Sequence, residues 1–234
     1  MSEMKKLTYI VCLMLVPFLT TAQSGLSVGG FLGASNYQGD LAEFGIVLRE
    51  TQPAFGGYLK YNFLPFVGAR INMVKGKLSG NDANNPSLFE RKFSFEADLF
   101  EAAFLIELSL FNKGNRHKFG GMRKLFSPYI YGGFGFTIAD AVVDYSQSDD
   151  IFIKEPFPEE GDKADFVTIP MGVGVRFQGF ERLRLALEFG FRPAFSDYLD
   201  GISLNGRADR NDWYVLGGLT ISYKFVDPQY CGGF

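Results

Sequence analysis

From Leu26 onward, apolar and polar residues alternate with a period of two in eight separate stretches. In the first, Leu26, Val28, Leu32 and Ala34 share one face, with Ser27, Gly29 and Gly33 on the other. The second sets Phe55, Leu59, Tyr61 and Phe63 against Gly56, Tyr58, Lys60 and Asn62; the third sets Val67, Ala69, Ile71 and Met73 against Arg70 and Asn72. The fourth starts with Phe93, Phe95 and Ala97, slips by one near Asp98-Leu99, and continues with Phe100, Phe104, Ile106 and Leu108 opposite Glu101 and Glu107. Such a slip predicts a β-bulge. In the fifth, Ile130, Phe134, Phe136 and Ile138 oppose Tyr129, Tyr131, Gly133 and Gly135. The sixth (Val167 to Phe177) opposes its apolar residues with Thr168, Gly172, Gly174 and Arg176, and the seventh (Leu183 to Phe191) with Arg184, Ala186, Glu188, Gly190 and Arg192. The last carries Trp213, Val215, Leu219, Ile221, Tyr223 and Phe225 against Thr220, Ser222 and Lys224. A period of two is a strand signal, and no stretch shows a convincing period of 3.6.

An even number of segments about ten residues long, with apolar and polar faces alternating and aromatic ends, predicts an all-β fold. The expected form is an eight-stranded antiparallel transmembrane outer-membrane β-barrel. The polar faces hold glycine with a few long charges, which suits a narrow lumen filled by side chains. Arg70, Arg176, Arg184 and Arg192 are placed to neutralise Glu101, Glu107 and Glu188 there, since a buried charge left alone is costly. The alternative, a soluble secreted β-sandwich, calls for Lys and Ser on the second face.

Composition narrows the function. The 234 residues include 28 Gly, one His and two Cys, are 47% apolar and 16% aromatic, and carry a formal charge of -3. That charge argues against nucleic acid as the main partner, and the lone imidazole and two thiols are too few for a protein-only zinc site. Lys5 and Lys6, the apolar run Leu7 to Leu19 and the small residues up to Ala22 read as a secretory signal peptide over 1–22, too short to span a membrane. The expected divisions are then a barrel over 23–225 and a periplasmic tail over 226–234. Cys231 is left without a second cysteine, which in an oxidising compartment points to an intermolecular disulfide or a free thiol.

With both termini periplasmic, the connections 35–53, 76–90, 140–165 and 193–211 face outward, and the turns at 64–65 and 178–182 face inward. The inner connection 112–127 is unusually long and carries Lys113, Arg116, Lys118, Arg123 and Lys124 with no acid among residues 112 to 125. Anionic headgroups or plain solvation account for it on one reading; a docking surface for a periplasmic partner accounts for it on the other. The outer connection 140–165 is strongly acidic, but its spacing matches no Ca²⁺ loop.

No catalytic constellation emerges. His117 sits between Arg116 and Lys118 in the basic turn, away from any serine arrangement that a hydrolase needs. Asp149 and Asp150 are adjacent acids with nothing around them to hold them. Gly132-Gly133 and Gly217-Gly218 fall mid-strand, where they read as close packing. The chain is expected to be no enzyme and to need no cofactor.

The run Gly33-Ala34-Ser35-Asn36-Tyr37-Gln38-Gly39-Asp40-Leu41, with Ile169-Pro170-Met171-Gly172-Val173-Gly174-Val175-Arg176-Phe177 and Phe195-Ser196-Asp197-Tyr198-Leu199-Asp200, resembles the PorG-like family of Bacteroidota outer-membrane barrels. Asn36, Tyr37, Gly39 and Asp40 carry the most specific part, read as a turn after the first strand. Asp227 to Phe234 is similar to the short Cys-containing tail of that family, with Gly232-Gly233 where a proline is expected. The resemblance implies a non-enzymatic component of the type IX secretion system that contacts the periplasmic ring of the lipoprotein PorK and PorN, while cargo crosses through a separate, larger translocon. The competing expectation is a stand-alone OmpX-like surface barrel, binding ligands or surfaces through its acidic outer loops.

Overall fold

The computed structural model describes residues 25–38, 48–64, 66–84, 90–110, 126–149, 161–177, 182–195 and 212–225, with 151, 153, 156, 199, 201 and 202. These form strands β1 (Leu26–Gln38), β2 (Gln52–Asn62), β3 (Val67–Asn81), β4 (Ser94–Ser109), β5 (Phe126–Asp144), β6 (Lys163–Thr168), β7 (Met171–Phe177), β8 (Leu183–Pro193) and β9 (Trp213–Lys224), with two single-turn 3-10 helices at Leu48–Glu50 and Asp82–Asn84. All pairings are antiparallel, and the ring closes where β1 meets β9 and β4 meets β5.

β6 and β7 are one barrel strand. Gly135 faces Thr168 and Gly132 faces Met171 in a single register along β5. Pro170 stands between them and has no N–H to donate, so it interrupts the ladder without shifting it. The strands therefore form an eight-strand closed barrel, and the β-sandwich reading falls.

Leu26 and Lys224 lie at one end, called the terminal end here; Gln38, Asn81, Ser94, Asp144 and Trp213 lie at the distal end. The distal strand ends outrun the sequence expectation. β3 continues to Asn81, β5 to Asp144, and the sixth barrel strand starts at Lys163, so part of the acidic connection is strand.

The expected bulge at Asp98-Leu99 is absent. β4 pairs without interruption with β3 from Asn81↔Ser94 to Val67↔Leu108, and with β5 from Ser94↔Asp144 to Ser109↔Tyr129. What inverts is the chemistry of the two faces. Phe95, Ala97 and Leu99 point inward and are buried, whereas Phe100, Phe104, Ile106 and Leu108 point outward and are exposed. Beyond Phe100 the outward face turns charged, with Asp98 beside Lys77 on β3 (3.5 Å) and opposite Asp140 on β5.

Below that level the outer surface is a continuous apolar belt including Leu32, Leu59, Ile71, Phe104, Phe134, Val173, Leu187 and Leu219, all exposed. Water is a poor solvent for such a band, and hydrocarbon a good one. Leu187→Arg, at mid-belt and 61% exposed, is expected to destabilise the barrel by about 2–4 kcal/mol in bilayers. Asp98→Arg at the charged level should cost far less, and equal costs in urea unfolding from vesicles would contradict this placement of the belt.

Candidate functional site

Alternation delivers six charged side chains, Lys60, Arg70, Glu107, Arg176, Arg184 and Glu188, into the terminal half of the lumen from strands that are distant in sequence. Arg70 of β3 is fully buried; its guanidinium donates from Nη1 and Nη2 to the two carboxylate oxygens of Glu188 on β8, at 2.6 and 3.0 Å. The same Nη1 lies 3.2 Å from Glu107 of β4. Glu107 also receives Lys60 of β2, and Arg176 of β7 at 2.7 Å. The Tyr129 hydroxyl donates to Glu188.

Aromatic rings flank the cations. Arg70 stands 4.8 Å from the Tyr58 ring centre and 5.3 Å from that of Tyr131, and Arg176 stands 4.3 Å from that of Tyr129. Nearer mid-height, Glu101 faces Arg192 at 3.4 Å and accepts a 2.7 Å bond from the Tyr214 hydroxyl. Buried ion pairs add little net stability, but removing one partner is severe because the other is left desolvated. Only about 10 Å³ of space remains among the terminal-half residues, roughly the room one water needs.

The distal half is closed by apolar packing. Phe31, Leu78, Phe93, Phe95, Leu99 and Leu216 form one buried cluster with Leu199 and Ile202. Arg91 clamps the rim through a two-point contact with Asp82 (2.8 and 2.9 Å), which also accepts the Phe93 backbone N–H. Among the described residues, a charged plug and an apolar plug thus stand in series along the lumen. Reconstituted in planar bilayers, the protein is therefore expected to show no steady ionic conductance; a stable channel would contradict the plug.

Of the residues singled out in the sequence, Asn36 and Tyr37 lie inside β1 and not in a turn. Tyr37 is fully buried, donates to Asp212 at 2.9 Å and meets Phe95 edge-on with centroids 4.8 Å apart. Asn36 donates to Thr51 at 3.2 Å and accepts from Gln38 at 2.8 Å. Both pack the distal end. Turn-forming residue types misled because Tyr37 finds its partners on strands remote in sequence, Asp212 beside β9 and Phe95 on β4. Gly39, Asp40, Lys113, Arg116, His117, Lys118, Arg123, Lys124 and Cys231 lie outside the described residues. The chain path still constrains them: β4 ends and β5 begins at the terminal end, so the basic stretch departs from and returns to the end at which β1 begins and β9 finishes.

On the barrel exterior, beyond the belt, a cleft of about 510 Å³ is lined by Arg49, Gln52, Asn81, Ser94, Glu96 and Asp144 among others. Hydrogen bonds from Ser146 hold the Asp144 carboxyl below the usual carboxylate range. Among the described residues no group of three His, Cys, Asp or Glu is placed to hold a metal ion. The alternation pairs the lumen arginines with the glutamates, and the structure adds Lys60 and four tyrosines, Tyr58, Tyr129, Tyr131 and Tyr214; their inward positions in the alternation are the available signal.

The family described as Domain of unknown function (DUF6089) matches residues 4–233. The chain belongs to the DUF6089 family. No curated protein matches it. Among solved structures, the DUF6089 barrel is similar to the N-terminal β-barrel domain of Pseudomonas aeruginosa OprF, at 9% identity over 86% of this chain and 98% of that one, with a TM-score of 0.44. It is similar to Ail, the attachment invasion locus protein of Yersinia pestis, at 12% identity with the same coverages and TM-score. It is also similar to Neisserial surface protein A, at 13% identity over 86% and 98%, with a TM-score of 0.48. The architecture of the DUF6089 barrel rests on its own closed ring of pairings.

Proposed function

We propose that this DUF6089 barrel is a non-enzymatic outer-membrane component of the type IX secretion system, which anchors the periplasmic PorK/PorN ring through its terminal end. The observation that carries the reading is the doubly plugged lumen. A barrel that passes nothing acts through its surfaces, and its belt fixes it in lipid. In this reading the terminal end is periplasmic, and the basic residues Lys113, Arg116, Lys118, Arg123 and Lys124 meet an acidic face of the ring there. Cys231, seven residues beyond the last strand, is close enough in the chain to bond a ring subunit. The Asn36-Tyr37 motif builds the distal end and takes no part in that contact.

A second reading, an OmpX-like surface barrel, draws on the polar exterior cleft at the distal end. A mild-detergent pull-down of the tagged protein from native membranes separates the two. Recovery of PorK and PorN, reduced at least several-fold when the five basic residues are changed to glutamine, is the expected result. A reducible heavier band lost in Cys231→Ser would assign the disulfide. A barrel recovered alone, with function lost on changing Glu96 and Asp144, would replace the ring-anchor reading with the surface one.

A further inference from the structure

We infer that the terminal half of the lumen binds one small monovalent anion of the halide class, chloride in the cell. The charges there do not balance. Lys60, Arg70 and Arg176 converge on only two carboxylates, Glu107 and Glu188, and the neighbouring Arg192–Glu101 pair is neutral in sum. At least one positive charge is thus in excess among side chains that are nine-tenths buried or more, and the partly exposed Arg184 lines the same space; an uncompensated buried charge is expensive.

Two donors next to the remaining space lack a partner. The Ser27 hydroxyl and the Arg70 Nε–H make no hydrogen bond, and both residues are about 2% exposed and line that space. The hydroxyls of Thr220 and Ser222 line it too. A buried guanidinium N–H without an acceptor costs the full desolvation of that group. What completes the site must therefore accept hydrogen bonds, and a negative charge on it also cancels the excess. About 10 Å³ is too small for phosphate, sulfate or a carboxylate. It suits a single atom, which hydroxyl and guanidinium donors surround without a directional demand. The inference concerns the lumen alone and stands whether or not the barrel anchors a ring.

Bromide tests it directly. Crystals of the full chain grown in sodium bromide are expected to show an anomalous peak beside Ser27 and Arg70; an ordered water there with no peak would overturn the assignment. In solution, a tenfold rise in chloride, against gluconate at constant ionic strength, should raise the folded-to-unfolded ratio by up to tenfold for one site. Lys60→Met removes one buried cation and leaves Arg70 and Arg176 on the two carboxylates, so that chloride response should fall several-fold; a response of unchanged size in Lys60→Met would also overturn it. Ser27→Ala, a milder change, should weaken the response and guards against a Lys60 variant that does not fold.

Discussion

Glu107→Ala is expected to unfold at a clearly lower urea concentration than the native barrel, with a loss of about 3–5 kcal/mol. Glu107 receives Lys60, Arg70 and Arg176, and only Arg70 has a second carboxylate, Glu188. Truncation leaves the other two cations buried with nothing opposite them. The sole tryptophan, Trp213, packs against Phe191 with centroids 5.7 Å apart, so its fluorescence reports the β8–β9 seam during the titration. Adding Lys60→Met to Glu107→Ala should recover part of the loss, because one stranded charge goes with it. Strict additivity of the two changes would mean that these residues do not share a network.

The second large effect is expected at Gly133. A Cβ there would lie 1.9 Å from the carbonyl oxygen of Phe104 and 2.9 Å from the Cα of Leu105. Both are backbone atoms of the neighbouring strand, so no side chain can rotate away. Gly133→Ala must open the β4–β5 ladder, one of the seams that close the ring. The expected cost exceeds about 4 kcal/mol, read as loss of the compact, heat-modifiable band on gels. Gly30→Ala is the control. The nearest atoms to its Cβ stand at 3.8 and 3.9 Å, and the folded band should persist. A folded Gly133→Ala barrel would show that the strands there are less tightly apposed.

The barrel was legible in the sequence because inward and outward positions obey a strict period of two, and glycine, arginine and glutamate gathered on one phase. Which charges pair was only partly legible. Arg70 and Glu188 are 118 residues apart, and their meeting depends on the stagger of the closed ring, which no local pattern encodes. The slip at Asp98-Leu99 was misread for a definite reason. A one-residue change of hydrophobic phase has two causes, an extra residue in the strand or a change of solvent outside it, and periodicity alone does not separate them. The long ladders of β3 and β5 do. Tyr37 failed similarly: a tyrosine followed by Gln-Gly-Asp has the chemistry of a turn, and its partners are distant in sequence, Asp212 at the start of the adjacent β9 and Phe95 on the non-neighbouring β4. The basic connection and the cysteine stay as sequence features, placed only by the end of the barrel to which the chain returns.

The change of outward character on β3, β4 and β5 also acts as a depth gauge. Lys77, Asp98, Asp140 and Lys163 stand in one cross-strand row, above a mixed row of Lys75, Phe100, Ile138 and Asp165, under which Met73, Ala102, Phe136 and Val167 are apolar. If the barrel sank, the charges of these two rows would enter hydrocarbon, at up to about 2–4 kcal/mol for each lysine. If it rose, Phe100 and Ile138 would be lifted into water. Vertical drift and tilt are both opposed, so the molecule rides at one height in its membrane. Its terminal end is then presented at a constant level, as a rigid fixture in lipid that is otherwise fluid.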